Sequence, residues 1–311
     1  MKDVEYAYAV AYIKTLENKM LTRSDMESLI SADGIAAAKR ILAERGWTGK
    51  DTGEILKNEL ARAWEAAYEV LGEDTPIDVL IYENDFHNLK TVLKATVARA
   101  DWSKMVLSPH TVEPSLIAEC IKSGDWEQLP EFLRDTAKGA YELLTETMDG
   151  QLAEIYIDKA ELIAVLERAK AEKDNFLIGW AELLVKLASL KTAWRCIKAG
   201  KSQEFLKNAI ADSNLYVKLT SCESIDDVKA VISAEFSDAD TETLASFEKW
   251  CDNKKLAYVK GAKAESFSFR PIMAFLIGKT FEIQAVRIIL SCKENEIGQE
   301  IIRERLRDMY V

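Results

Sequence analysis

Apolar residues recur along this chain at three- and four-residue spacing with few interruptions. Residues 4–21, VEYAYAVAYIKTLENKML, put Val4, Tyr8, Ala11/Tyr12, Thr15/Leu16 and Lys19/Met20 on one stripe, and the spacing predicts a helix with that stripe inward. Residues 53–71 predict a second helix, about 28 Å long at ~1.5 Å per residue, with Leu56, Leu60, Ala63/Trp64, Ala67 and Val70/Leu71 on its apolar face. Asp51 followed by Glu54 is a capping-box signal, and Gly72 marks the stop. Thr75-Pro76 opens the next helix, which runs through YENDFHNLKTVLKATVARA to about Asp101. Over 138–172 the positions Tyr141, Leu144, Met148, Leu152, Ile155, Tyr156, Lys159, Leu162/Ile163 and Leu166 give another long pattern. Aromatic pairs at helical spacing, Tyr8/Tyr12 and Trp64/Tyr68, read as core. No alternating stretch of strand length occurs. The fold class is therefore all-α, with over two thirds of residues helical and no β-sheet. The clearest breaks are Arg45–Thr52, Leu107–Pro114, Asn208–Asn214 and Ala262–Pro271.

Two internal repeats are superimposed on this pattern. An apolar residue followed by a base recurs on long helices at Ile13-Lys14-Thr15, Leu89-Lys90-Thr91, Leu190-Lys191-Thr192 and Val286-Arg287-Ile288. A polar turn leading into a short helix recurs at Asp33-Gly34-Ile35, Gly124-Asp125-Trp126 and Glu223-Ser224-Ile225, and Pro130 is expected to kink or shorten the middle copy. The two series agree on a unit of a short helix pair and two long helices, present three times, with boundaries 1–106, 107–205 and 206–311.

Composition narrows the function more than the fold. Gly (13) and Pro (5) are together about 6% of 311 residues, against roughly 12% in average usage, too few for a sandwich or barrel. The net charge of −11 argues against nucleic acid as a partner. Residues 253–311 carry 11 bases and 7 acids, so the C-terminal part is basic within an acidic chain. The five cysteines are odd in number and form no CxxC pair, which reads as buried thiols in a reducing cytoplasm. The apolar run Ile272–Ile277 is far shorter than the ~20 residues of a membrane span.

Candidate chemistry is sparse. The two histidines, His87 and His110, cannot supply a multi-histidine metal site, and His87 reads as a structural hydrogen-bonding group. Gly278-Lys279-Thr280 ends like a phosphate loop, but Met273 stands where the first glycine is needed. In Gly46–Gly53, Asp51 follows Lys50 and would repel phosphate. Carboxylate pairs such as Asp226-Asp227 are inevitable among 52 acids. No catalytic, cofactor-binding or metal residue is assigned. The most basic cluster, Arg303, Arg305 and Arg307 with Lys254 and Lys255, suggests a partner surface. Arg303 and Arg307 are expected to share a helix face, and pairing with Glu300 and Glu304 is the alternative.

Four segments taken together resemble a known family. They are EYAYAVAYIKTLENKMLTRSDMESLI, YENDFHNLKTVLKA, GDWEQLPEFLRDT and the ending RPIMAFLIGKTFEIQAVRIILSCKENEIGQEIIRERLRDMYV. Their order and spacing resemble the C subunit of the archaeal and bacterial V/A-type rotary ATPases, the counterpart of the eukaryotic V-ATPase d subunit. The likeness spans the chain and is weakest in the middle third. Leu190-Lys191 lacks an asparagine like Asn88, and Gln284-Ala285 replaces the commoner Asn-Leu, so polar contacts at those two places are in doubt. The resemblance implies a funnel of three similar helical units about a pseudo-threefold axis. It implies a non-catalytic central-stalk rotor component for H⁺ or Na⁺ transport. Such a component lies peripherally on the cytoplasmic face of the membrane, seated on the proteolipid ring and holding the central shaft, with no cofactor and no nucleotide. A helical scaffold for another complex would show repeats of 34–47 residues, which are absent. An all-α enzyme working through a carboxylate cluster is the remaining alternative, and tight binding of nucleotide or divalent metal would mark it.

Overall fold

A computed structural model describes residues 3–72 and 74–311. It is 74% helical, with no strand among the described residues. The helices are α1 (Asp3–Glu17), α2 (Arg23–Ser31), α3 (Gly34–Glu44), α4 (Thr52–Leu71), α5 (Tyr82–Ala98), α6 (Pro114–Ser123), α7 (Glu131–Thr147) and α8 (Gly150–Glu172). They continue as α9 (Asn175–Lys198), α10 (Gln203–Ala209), α11 (Tyr216–Thr220), α12 (Ile225–Glu235), α13 (Leu244–Lys260), α14 (Arg270–Glu294) and α15 (Gln299–Arg305). Short 3-10 turns at Pro76–Ile81 and Trp126–Gln128 precede α5 and α7. The chain packs as two compact units, Met1–Thr75 with Glu248–Val311, and Pro76–Phe247.

In the first unit α14 is the central element. Its sequence is apolar on every side, so it is buried on every side from Pro271 to Ile283 apart from Thr280. It packs on α1, α2, α3, α4 and α15. Ile283, Val286, Ile289 and Leu290 meet Leu29, Leu42, Trp47 and Leu56 in one cluster. Each such side chain contributes about 1.5–3 kcal/mol on full burial. Helix α4 starts as expected: Asp51 Oδ1 accepts the Glu54 N–H at 2.8 Å, and Gly72 ends the helix. The Glu54 carboxylate accepts from the Lys50 N–H instead of closing the box on Asp51.

The second unit is built around α5, α8 and α9. Helix α5 packs on α6 and α8, and α8 packs on α7, α9 and α10. Phe86, Leu89, Leu93, Ile117 and Leu133 are fully buried here, and Tyr82 stacks on Phe132 with ring centroids 4.3 Å apart.

The structure corrects four sequence expectations. In α1 the buried side is Ala9, Val10 and Ile13, while Val4 and Tyr8 are 79% and 68% exposed. This helix is apolar on two faces, and the spacing alone favoured the outer one. The pattern over 138–172 is two helices: Met148 turns left-handed at φ 54°, and Asp149 Oδ1 caps α8 through the Gln151 and Leu152 N–H groups. The helix opened by Pro76 begins as a 3-10 turn before α5. Finally, α15 ends at Arg305, so Arg307 lies beyond it and shares no helix face with Arg303. Pro130 does shorten its segment, standing as the N-cap of α7 behind a 3-10 turn. All five cysteines are free and buried.

Candidate functional site

The polar residues of the YENDFHNLK segment lie on one side of α5 and hold the following loop against it. Asp85, fully buried, accepts the Thr111 N–H at 2.8 Å, the Thr111 hydroxyl at 2.6 Å and the Val112 N–H at 3.1 Å. Burial raises its carboxyl above the ordinary range, and the Thr111 and Val112 donors oppose that rise. Asn88 is equally buried; it accepts from the Leu107 N–H at 2.7 Å and donates to the Leu107 carbonyl at 3.0 Å. Asn84 donates to the Pro109 carbonyl at 2.7 Å. His87 Nε2 lies 3.3 Å from the Met105 carbonyl oxygen, in keeping with a structural role. On α9, Ser189 does the work of Asn88: its hydroxyl accepts the Asp212 N–H at 2.9 Å, and Asp212 then accepts from the Asn214 and Leu215 N–H groups. The polar contact questioned by the sequence at this position is present, through a serine.

The first unit carries a buried ion cluster where the sequence showed a broken phosphate loop. Gly278-Lys279-Thr280 lies inside α14, whose helical bonds occupy the local amides. Lys279 reaches the carboxylates of Glu59 (3.0 Å) and Glu282, and its ammonium lies 4.9 Å from the Trp47 ring centroid. Arg62 joins Glu59 from the outside, and Glu282 also accepts the Leu21 N–H. Burial pushes the Glu282 carboxyl up, against the pull of Lys279. Gly278 is required for another reason. A Cβ there would stand 2.3 Å from Tyr310 Cγ, so only glycine lets the C-terminal tyrosine lie on α14. Tyr310 donates to Glu17 Oε1 at 2.7 Å, and the Lys263 ammonium sits 4.2 Å from its ring centroid. Burial, then the bond to Glu17, raises the Tyr310 hydroxyl far above its ordinary pKa.

Arg303, Arg307 and Lys255 of the predicted basic cluster are paired within the chain. Arg303 contacts Glu27 on α2 at 3.1 Å and Glu300 at 2.8 Å, the latter being the sequence alternative. Arg307 and Lys255 share Asp252, at 3.1 and 2.7 Å, and Lys254 lies over the Trp250 ring. An open cleft of about 590 Å³ in the second unit is lined by His87, Lys90, Lys94, Glu154 and Asp158. Both lysines are bridged there, Lys90 to Asp158 and Lys94 to Glu154, so the cleft presents no uncompensated lysine to an anion. Among the described residues no group of three or more His, Cys, Asp or Glu side chains is placed to hold a metal ion. No helix among them is long and apolar enough to cross a membrane.

These contacts hold loops and tails against the long helices. A family model described as ATP synthase (C/AC39) subunit matches residues 9–305, nearly the whole chain. The chain belongs to this family. It is similar to the V-type sodium ATPase C subunit of Enterococcus hirae, 21% identical across 99% of each chain. It is also similar to the A-type ATP synthase C subunit of Methanosarcina acetivorans, 23% identical over 97% of this chain and 92% of that one. The V-type ATP synthase C subunit of Thermus thermophilus matches at 22% over 65% of this chain and 67% of its own. As a C subunit of the V/A-type ATPases, the chain works inside a larger assembly. Asp85, Asn88, Ser189, Glu59 and Glu282 are buried polar groups that apolar periodicity does not mark. The one signal was polar residues at core spacing in YENDFHNLK.

Proposed function

We propose that this chain is a non-catalytic central-stalk component of a V/A-type ATPase or ATP synthase, coupling the central shaft to the membrane proteolipid ring on the cytoplasmic side. The carrying observation is the family match over residues 9–305, with end-to-end likeness to the C subunit of Enterococcus hirae. The physics supports it. A torque-bearing adaptor needs stiff elements and fixed loops, and this chain is helical with its loops tied to buried side chains.

The same reading includes three similar units, 1–106, 107–205 and 206–311. Its support is a recurring loop clamp. Asp85 and Glu282 each stand four residues before the apolar member of the Leu-Lys pair, at Leu89 and Val286. Asn88 and Ser189 each stand one before it, at Leu89 and Leu190. The clamped amides are Val112, Asp212 and Leu21, each within four residues of the start of a short helix, α6, α11 or α2. Each long helix thus holds the loop that leads into a short helix, and the last copy holds the first. Arg303, Arg307, Lys254 and Lys255 are proposed to orient the partner electrostatically.

Purification of a tagged chain from native membranes tests the reading. Ring and shaft polypeptides should co-purify, and membranes lacking the chain should hydrolyse ATP without moving ions. Membranes that still couple ATP to transport without it would overturn the proposal.

A further inference from the structure

The hairpin of α7 and α8 leaves an apolar groove that no other described part of the second unit fills. The groove holds about 660 Å³. Its apolar lining includes Leu143 from α7, with Leu152, Ile155, Tyr156 and Ile163 from α8. Tyr156 and Ile163 remain 40% and 39% exposed. Tyr156 holds its place as a wall because Gly139 faces it: a Cβ at 139 would stand 2.5 Å from the tyrosine oxygen. Leu152, Ile155, Tyr156 and Ile163 belong to the helical pattern read over 138–172, and here they line a groove.

Shape and charge define the occupant. The lining runs chiefly as two helical stripes side by side, 139–146 on α7 and 152–163 on α8, with Asn208 of α10 also in it. The longer covers 11 residue steps, about 17 Å or three turns. Two adjacent helical ridges form a seat for a third helix. Along the α7 rim, Glu142 and Glu146 are exposed, four residues apart, and make no ion pair among the described residues. Like charges at that spacing repel each other and call for positive charge opposite. On the α8 side, Lys159 has its ammonium 5.8 Å from the Tyr216 ring centroid, with its pKa lowered by burial. An acidic rim repels an anionic bilayer surface.

We propose that the α7/α8 groove docks one amphipathic helix of a partner polypeptide, about three turns long, apolar on one stripe and carrying Lys or Arg along the flank that meets Glu142 and Glu146. The proposal rests on the rotary-complex reading, which supplies the partner polypeptides. Wild-type co-purification with ring and shaft polypeptides is therefore measured first, and its failure counts against that reading alone.

In the assembled complex, a photoreactive benzoylphenylalanine at Ile163 should crosslink to a helix of another polypeptide with apolar residues every three or four positions and bases on one flank. Tyr156→Asp/Ile163→Asp should weaken assembly at least about tenfold. Glu142→Lys/Glu146→Lys should weaken it and reduce its salt dependence. Far-UV dichroism and melting of each isolated variant should match wild type, since all four side chains are partly or fully exposed. Crosslinks only to lipid, to a second copy of this chain or to an acidic segment would overturn the proposal. So would unchanged assembly of the Tyr156→Asp/Ile163→Asp variant.

Discussion

At the residue scale, charges taken out of water matter most. Lys279 is enclosed by Glu59 and Glu282, and its removal takes the ion-pair partner from buried Glu282 and leaves Glu59 with Arg62 alone. Breaking such a pair on one side costs about 3–5 kcal/mol. Lys279→Met should therefore unfold at correspondingly lower denaturant, and its deficit should shrink on acidification as the orphaned Glu282 carboxyl takes up a proton. A deficit under about 1 kcal/mol at pH 7 would show that the cluster is hydrated. Glu161 on α8 gives a second expectation. Burial, then the neighbouring Glu83, pushes its carboxyl up to about 8, while Lys90 opposes and Asp158 reinforces the rise. Between the ordinary value near 4.5 and about 8, the folded chain holds a proton that the unfolded chain has released. Stability should fall as pH rises through that window and level off above it. Glu161→Gln should flatten the slope in urea titrations from pH 5 to 9, and an identical slope in the variant would refute the assignment.

At the element scale, each long helix does two jobs: it fills a core and it holds a neighbouring loop. Asp85→Ala leaves the Thr111 and Val112 N–H groups without their acceptor, at about 1–3 kcal/mol for each buried donor left unsatisfied. Proteolysis should then cut within 105–113 well before global unfolding. Ser189→Ala should loosen 210–215 by a smaller amount, about 0.5–1.5 kcal/mol for one neutral bond. Equal protease resistance in wild type and both variants would mean that the loops are held by packing instead. The same duality explains what could be read from the sequence. Periodicity located the helices, and Asp51 and Gly72 located the ends of α4, because backbone geometry and caps are local. Which face goes inward is not local in α1 and α8, whose apolar residues circle the helix, so the spacing points Val4 and Tyr8 inward although both stay exposed, and it leaves the side of Tyr156 and Ile163 undecided. Asp85, Asn88, Glu59 and Lys279 look like surface residues in the sequence. They become interior only through partners 19 to 220 residues away. Gly278 signalled a phosphate loop only because its true neighbour, Tyr310, lies 32 positions further on.

At the scale of the whole molecule, the uneven charge sets how the chain meets a partner. The chain carries −11 overall, while residues 253–311 carry an excess of four bases. Arg303, Arg307 and Lys255 are paired with Glu27, Glu300 and Asp252, which fixes their positions while partly neutralising them. Exposed pairs of this kind stabilise a fold by about 0–1 kcal/mol each. Long-range charge acts chiefly on encounter rate and orientation. Reversal to glutamate would set Glu beside Glu27 and Glu300 and disturb the fold, so neutral substitution is the cleaner probe. Arg303→Gln/Arg307→Gln should leave the melting temperature within about 2–4 °C of wild type, the shift per kcal/mol for a unit of this size. It should slow association with the remaining complex severalfold at low salt, with little change in dissociation. The difference should vanish near 0.5 M salt, where screening shortens the reach of charge to about 4–5 Å. Equal association rates at every salt concentration would reduce the cluster to an internal brace between α2, α13 and the C-terminal segment.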